Sequence, residues 1–307
     1  MKSKSVAVLM ATKDGERFLK TQIVSILNQT HKNLKIYIGD DSSQDSSEKI
    51  INSFSIKYPN KIFFRRVSFG NYSKNFFNLV NDKSIDADFY AFSDQDDIWL
   101  PDKIENALNS IIFIEESTPI LYGSRTRLIN EKGYEVGISP LFKIPPSFNN
   151  ALVQNIMGGN TMVFNKTTRA LIQSLEHDCL FPYDWLMYII VSGAEGKVIY
   201  DKKPSVLYRQ HKNNLIGNNH NFVSKFLRFK RLINREYKTL NKLLIRILNK
   251  NIHILGLNQR ETLKVFSTIH YSKSPILRAN ELRKMKFFRQ TIFGRFSFYF
   301  AVIFGLI

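Results

Sequence analysis

Asp94-Gln95-Asp96-Asp97 sets three carboxylates within four residues. Like charges this close repel, so something of opposite sign must compensate them. A divalent cation carrying a diphosphate does so: Mg²⁺ takes one or two carboxylates and completes its octahedron with water and phosphate oxygens. A solvated acidic turn capping the next helix would use the same residues, and the cluster alone leaves both readings open. Its flanks add information. Phe89 to Phe92 is an unbroken apolar and aromatic run, the pattern of a strand buried on both faces. Pro101 opens a helical pattern through Ile104, Ala107, Leu108, Ile111 and Ile112. The acids therefore fall at the carboxyl end of a core strand, where open α/β sheets hold ligands.

A second candidate lies in Phe181-Pro-Tyr-Asp184-Trp185. Pro182 starts a helix with Leu186, Ile189 and Ile190 on its apolar face, so Asp184 and Trp185 occupy its first turn. An acid there is either a plain helix-end charge or a general base. Gly158-Gly159-Asn160 enters a strand, where a backbone without side chains lets a ligand approach closely. His211 is a metal or phosphate contact or a satisfied structural histidine.

The elements that position these residues alternate. Val6–Ala11, Lys35–Gly39, Ile62–Phe64 and the Phe89 run read as strands. Phe18, Leu19, Ile23, Ile26 and Leu27, then Ile50, Ile51 and Phe54 behind a Ser46 cap, then Phe76, Phe77 and Val80 read as helices. This is a βαβ order with a parallel sheet, and right-handed crossovers put the loops after strands one, two and four on one edge. No Gly-x-Gly-x-x-Gly or Gly-x-x-x-x-Gly-Lys-Ser/Thr stretch occurs, so phosphate binding here needs a metal or basic side chains. One cysteine, Cys179, excludes an internal disulfide and fits a reducing compartment. The first apolar stretch, Val6 to Ala11, is shorter than a signal peptide's hydrophobic segment with its cleavage site.

Thr12-Lys-Asp-Gly15 with Ser25-Ile-Leu-Asn-Gln-Thr30, Asp40-Asp-Ser-Ser43 and Ser93-Asp-Gln-Asp-Asp-Ile-Trp99 together resemble the nucleotide-sugar half of a family 2 glycosyltransferase. The resemblance implies a GT-A fold, a Rossmann-like, mostly parallel sheet flanked by helices. It implies a nucleoside diphosphate sugar donor contacted by Thr12, Asp14, Asp40, Asp41, Asn75 and Asp94, and Mg²⁺ or Mn²⁺ held by Asp94 and Asp96 with Asp97 and His211 beside them. Phe181 to Ile190, Gly196 to Tyr200 and Leu207-Tyr-Arg-Gln-His211-Lys-Asn-Asn214 are similar to rhamnosyltransferase-like members. That similarity makes Asp184 the catalytic base, with Gly158, Gly159, Asn160 and Trp185 on the acceptor side. It implies dTDP-L-rhamnose as donor and a lipid-linked saccharide of bacterial O-antigen or capsule assembly as acceptor; another hexosyltransferase using a UDP- or GDP-sugar is the alternative. Tyr183 stands where this subgroup has His, Lys212 where it has Gly, and Lys13-Asp14 replaces a common Tyr-Asn.

Charge divides the chain. Residues 1–217 hold 26 Lys and Arg against 23 Asp and Glu, whereas residues 218–307 hold 18 against three. The reading is a transferase domain over 1–217, with a nucleotide-sugar half to about residue 116 and an acceptor half after it, then a basic helical region over 218–307. Phe222, Phe226, Phe229, Ile233, Tyr237, Leu240, Leu244 and Ile247 form an apolar stripe, with Arg228, Arg231, Arg235, Lys238, Lys242 and Arg246 opposite. Phe296 to Ile307 is uncharged but shorter than the roughly 20 residues of a span. Such a tail suits an anionic membrane surface and a peripheral place on the cytoplasmic face of a bacterial inner membrane. A helix packed on its own domain would carry a similar stripe. A sugar nucleotidyltransferase and a basic nucleic-acid-binding module are the rivals from other classes; the second lacks any accompanying nucleic-acid motif.

Overall fold

The computed structural model describes residues 3–177, 179–211 and 236–307. Strands β1 (Val6–Thr12), β2 (Leu34–Asp40), β3 (Ile62–Arg66) and β4 (Phe89–Ser93) are parallel, in the order β3-β2-β1-β4. Alternation along β1 explains why helices cover both faces. Val6, Val8 and Met10 pack with Leu19, Ile23 and Ile26 of α1 (Glu16–Leu27), while Ala7 and Leu9 pack with Phe76, Phe77 and Val80 of α3 (Tyr72–Asn81). Between them, α2 (Ser47–Lys57) joins β2 to β3. Thr12 pairs with Asp40 and Met10 with Ser93, so the loops after β1, β2 and β4 share one edge as expected.

Local details differ from the sequence reading. Ser46 precedes α2 without a side-chain cap; Asp45 accepts the Ser47 N–H instead, at 2.9 Å. Pro101 lies in a turn and α4 (Lys103–Ile111) starts two residues later. The cap there is borrowed from α1's end: Gln29 Oε1 accepts the Ile104 N–H at 3.2 Å while its Nε2 donates to Leu100 O at 2.8 Å.

The second half continues the sheet as β8-β6-β9-β5, making it mixed. These are β5 (Ile98–Trp99), β6 (Ile120–Ile129), β8 (Val163–Asn165) and the long β9 (Lys197–Arg209), with β7 (Glu135–Ile138) off β6. The pairs β4–β8, β6–β8, β5–β9 and β6–β7 are antiparallel and β6–β9 is parallel. Helices α5 (Phe148–Ala151), α6 (Lys166–Gln173) and α7 (Tyr183–Gly193) complete this half, and every residue of α7 except Trp185 is buried.

Among the described residues four further helices follow: α8 (Glu236–Lys250), α9 (Leu257–Tyr271), α10 (Pro275–Lys284) and α11 (Ile292–Ile303). The expected apolar stripe falls partly outside the described residues, from Phe222 to Ile233. Its described part faces inward: Leu244 and Ile247 join Leu248, Leu263, Phe266, Phe287 and Phe298 in the cluster that contains α3 and α7. The uncharged terminal run is split as well. Phe298, Ala301, Val302 and Ile307 are core, whereas Phe296, Phe300 and Phe304 are exposed. No helix among the described residues is long and apolar enough to cross a membrane.

Candidate active site

Three loops are stitched together at the carboxyl edge of the parallel strands. Gln95 Oε1 accepts from Thr12 Oγ1 at 2.5 Å and from the Lys13 N–H at 2.8 Å, and its Nε2 donates to Lys13 O at 3.0 Å. Asp14 takes a positive φ of 48°, accepts the Gln44 N–H at 2.8 Å and donates its own N–H to Ser43 Oγ at 2.8 Å. Both oxygens of the fully buried Asp40 are engaged by Ser43, at 3.0 Å from its N–H and 2.5 Å from its hydroxyl. Asp41 Oδ1 gathers the N–H groups of Phe69 and Gly70 at 2.5 and 3.1 Å. These polar residues form a rim of loops at the carboxyl end of β4.

The acidic cluster sits on that rim, and its members differ in their partners. Asp97 is fully buried; Asn160 Nδ2 donates to its Oδ2 at 2.6 Å and the Arg209 N–H to its Oδ1 at 3.1 Å. It is thus a strut between the two halves. Asp96 Oδ2 lies 2.7 Å from His211 Nε2, whose ring stacks on Phe18 with centroids 5.6 Å apart. Among the described residues none donates a hydrogen bond to the Asp94 carboxylate, and desolvation together with Asp97, Asp96 and Asp184 pushes it well above the usual carboxylate range. Partly exposed beside three other carboxyls, it is placed to take a positive partner from solution.

Asp184 faces the same space from α7. Burial raises its carboxyl to about 6, against the pull of hydrogen bonds from the Trp185 N–H at 2.8 Å and Asn155 Nδ2 at 3.0 Å. A carboxylate so placed is a competent general base near neutral pH. Between the two acids stands Tyr183, 4% exposed, its ring stacked on Phe76 at 4.1 Å and its phenol pushed up by burial and by Asp94 and Asp184.

One or two carboxylates of this cluster would suffice for a divalent ion that a diphosphate also holds. Asp96 and His211 already converge, Asp94 has lone pairs to spare, and such ions need few protein ligands when a diphosphate supplies the rest. Among the described residues no group of three or more His, Cys, Asp or Glu side chains is placed to hold a metal ion.

Comparison with known proteins agrees with this geometry. The profile of Glycosyl transferase family 2 matches residues 7–255. The chain belongs to that family. Over 240 residues the glycosyltransferase is 30% identical to a dTDP-rhamnosyl transferase, RfbG, of Shigella flexneri, covering 75% of this chain and 81% of the relative. A UDP-Glc:alpha-D-GlcNAc-diphosphoundecaprenol beta-1,3-glucosyltransferase of Escherichia coli, WfaP, is 25% identical over 217 residues, 69% of this chain and 80% of the relative. A mannosyltransferase of Pyrobaculum calidifontis, solved in complex with GDP-Man and Mn2+, superposes with a TM-score of 0.57 at 11% identity. That match covers 100% of this chain and 86% of the other, and it marks the fold as GT-A-like.

Within the glycosyltransferase some expected contacts have other duties. Asn75 is 1% exposed and donates to Gly39 O at 2.7 Å, tying the start of α3 to β2, while its Oδ1 has no partner among the described residues. The space over Gly159 is filled by the Tyr183 hydroxyl, and that over Gly158 by Asn160 Oδ1. Trp185 is anchored through Nε1 to Ala151 O at 2.7 Å.

Three residues of the site were not singled out from sequence. Asn155 holds Asp184 and carries no sequence signal. Arg209 donates through Nε to Asp96 O at 2.9 Å and through Nη1 to Glu131 O at 3.0 Å; the Tyr-Arg-Gln-His stretch that contains it was the available clue. Lys103, fully buried with Nζ 4.0 Å over the Trp99 ring, is lowered to about 7 by burial, with Asp97 opposing.

Proposed function

We propose that this glycosyltransferase moves L-rhamnose from dTDP-L-rhamnose onto a lipid-linked saccharide, with inversion, at the cytoplasmic face of a bacterial inner membrane. The observation that carries the reading is that the partly exposed Asp94 at the end of β4 and Asp184 in the first turn of α7 lie near enough for Asp184 to raise the Asp94 carboxyl, with Tyr183 close to both. Asp184 takes the proton of an acceptor hydroxyl as that oxygen bonds to the anomeric carbon. The bond from that carbon to the β-phosphate oxygen breaks on the opposite side, and dTDP leaves with the electron pair. Asp94 and Asp96, with His211, would hold Mg²⁺ or Mn²⁺, which when bound offsets charge developing on the diphosphate. Asp97, tied to Asn160 and Arg209, keeps the loop in place. Asp41 keeps Oδ2 for the base or ribose, since Oδ1 is spent on Phe69 and Gly70.

The identity to RfbG supports rhamnose, and the diphosphoundecaprenol in WfaP's name supports a polyprenyl-linked acceptor. A panel of dTDP-, UDP- and GDP-sugars, assayed with Mn²⁺ and then with chelator, tests this. Fastest turnover with dTDP-L-rhamnose, lost on chelation, is expected. Preference for a UDP- or GDP-sugar would replace rhamnose, and turnover unaffected by chelator would remove the metal.

A further inference from the structure

Helix α11 is half core and half surface. Phe293, Phe296, Phe300 and Phe304 recur at three- and four-residue steps, which at 100° per residue confines them to an arc of about 80°. They are 83, 70, 55 and 63% exposed, while Phe298, Ala301 and Val302 on the other side are buried. Single exposed aromatics are ordinary, but a continuous row of four along roughly 16 Å is a docking surface.

Charge indicates the partner. Arg283 and Lys286, just before α11, are exposed; Lys284 between them pairs with Glu281, after which no Asp or Glu occurs. An aromatic row preceded by Arg283, Lys286 and Arg289, with Arg295 within it and no acid after Glu281, matches the interfacial layer and headgroups of an anionic bilayer. A second copy of this chain would bring the same cations face to face.

The location also fits. The segment leading into α11 is bonded to the acceptor half: Asn150 Nδ2 donates to Phe288 O at 2.9 Å, Arg289 Nε to Val153 O at 3.1 Å, and the Gln290 N–H to Gln154 Oε1 at 2.8 Å. The next residue, Asn155, holds the Asp184 carboxylate. We propose that α11 lays Phe293, Phe296, Phe300 and Phe304 into the surface of an anionic bilayer and thereby presents the Asp184 side of the site to the membrane plane. The presentation rests on the lipid-linked acceptor reading; the docking does not.

The test uses the full chain carrying Phe293→Ser, Phe296→Ser and Phe300→Ser, floated with vesicles of equal parts phosphatidylglycerol and phosphatidylcholine. Binding should drop by on the order of tenfold or more, because three apolar anchors are lost together. Its melting temperature and its hydrolysis of nucleotide sugar in solution should stay as in the parent. Should the triple variant fail to fold, the single Phe293→Ser and Phe296→Ser chains should each bind vesicles less tightly. Parent-like flotation of a folded variant overturns the proposal. So does a parent dimer that the substitutions split without changing vesicle binding, since the row would then join two copies. Loss of transfer to a detergent-dispersed polyprenyl acceptor with vesicle binding intact overturns it too, because the row would then seat the lipid chain. A parent that binds vesicles through the row but turns over no nucleotide sugar supports the docking and ends the transfer reading alone.

Discussion

At the scale of single residues, Asp184 is held in a state that favours function over stability. Burial raises its carboxyl from 3.8 to about 6, so the folded chain prefers it protonated. Below the unfolded value both states are protonated and the group costs nothing. As pH rises through the folded value stability is lost, up to about 3 kcal/mol once the group is ionised. Asp184→Asn keeps an oxygen for the Trp185 N–H and removes the charge. It should therefore melt higher than the parent near neutral pH and equally at about pH 4, while transfer falls by at least about 10²-fold. Parent turnover should climb through about pH 6 as the base ionises. Thermal melts across pH and a transfer assay at saturating acceptor measure both effects; parent-like turnover by the variant would move the base elsewhere.

At the scale of elements, the turn before β8 and the start of α7 are cut to fit one another. A Cβ at Gly159 would meet the Tyr183 hydroxyl and ring carbon, and Tyr183 is itself wedged against Phe76 and Phe92. Gly159→Ala should lose about 1–3 kcal/mol, the usual range for overpacking. Tyr183→Leu should relieve it, so that the double variant is more stable than the two single losses predict when summed. Chemical denaturation of the four proteins measures the coupling, and additive losses would mean the two elements do not press on each other.

At the scale of the whole molecule, the neutral body and the basic end share a core. Leu244, Ile245, Leu248, Phe266 and Phe287 pack in the cluster that holds Leu186, Ile190 and Phe148. Each such side chain contributes about 1.5–3 kcal/mol on burial, more together than a domain's usual margin. A chain ending at residue 217 should therefore bind a hydrophobic dye strongly and lack a cooperative melt. A sharp melt near that of the full chain would show that the first 217 residues fold on their own.

What the sequence determined by itself was local and periodic. Apolar runs placed β1 to β4 within two residues, and helical spacing marked the buried faces of the helices between them though not their ends, because each buried face must repeat in step with its backbone. The acids at the end of β4 and in the first turn of α7 were legible because their types are costly to place without a purpose. What only the tertiary structure decided was partnership across distance. That Asp97 spends its oxygens on Asn160 and Arg209, that Asn155 steadies Asp184, and that Asn75 donates to Gly39 O all depend on residues 29 to 112 positions apart meeting in space. The tail posed the same problem: an apolar stripe reports that a face is covered, but only packing reveals what covers it. In α11 the core took Phe298, Ala301 and Val302 and left the phenylalanine row outside, a division that twelve uncharged letters in a line do not contain.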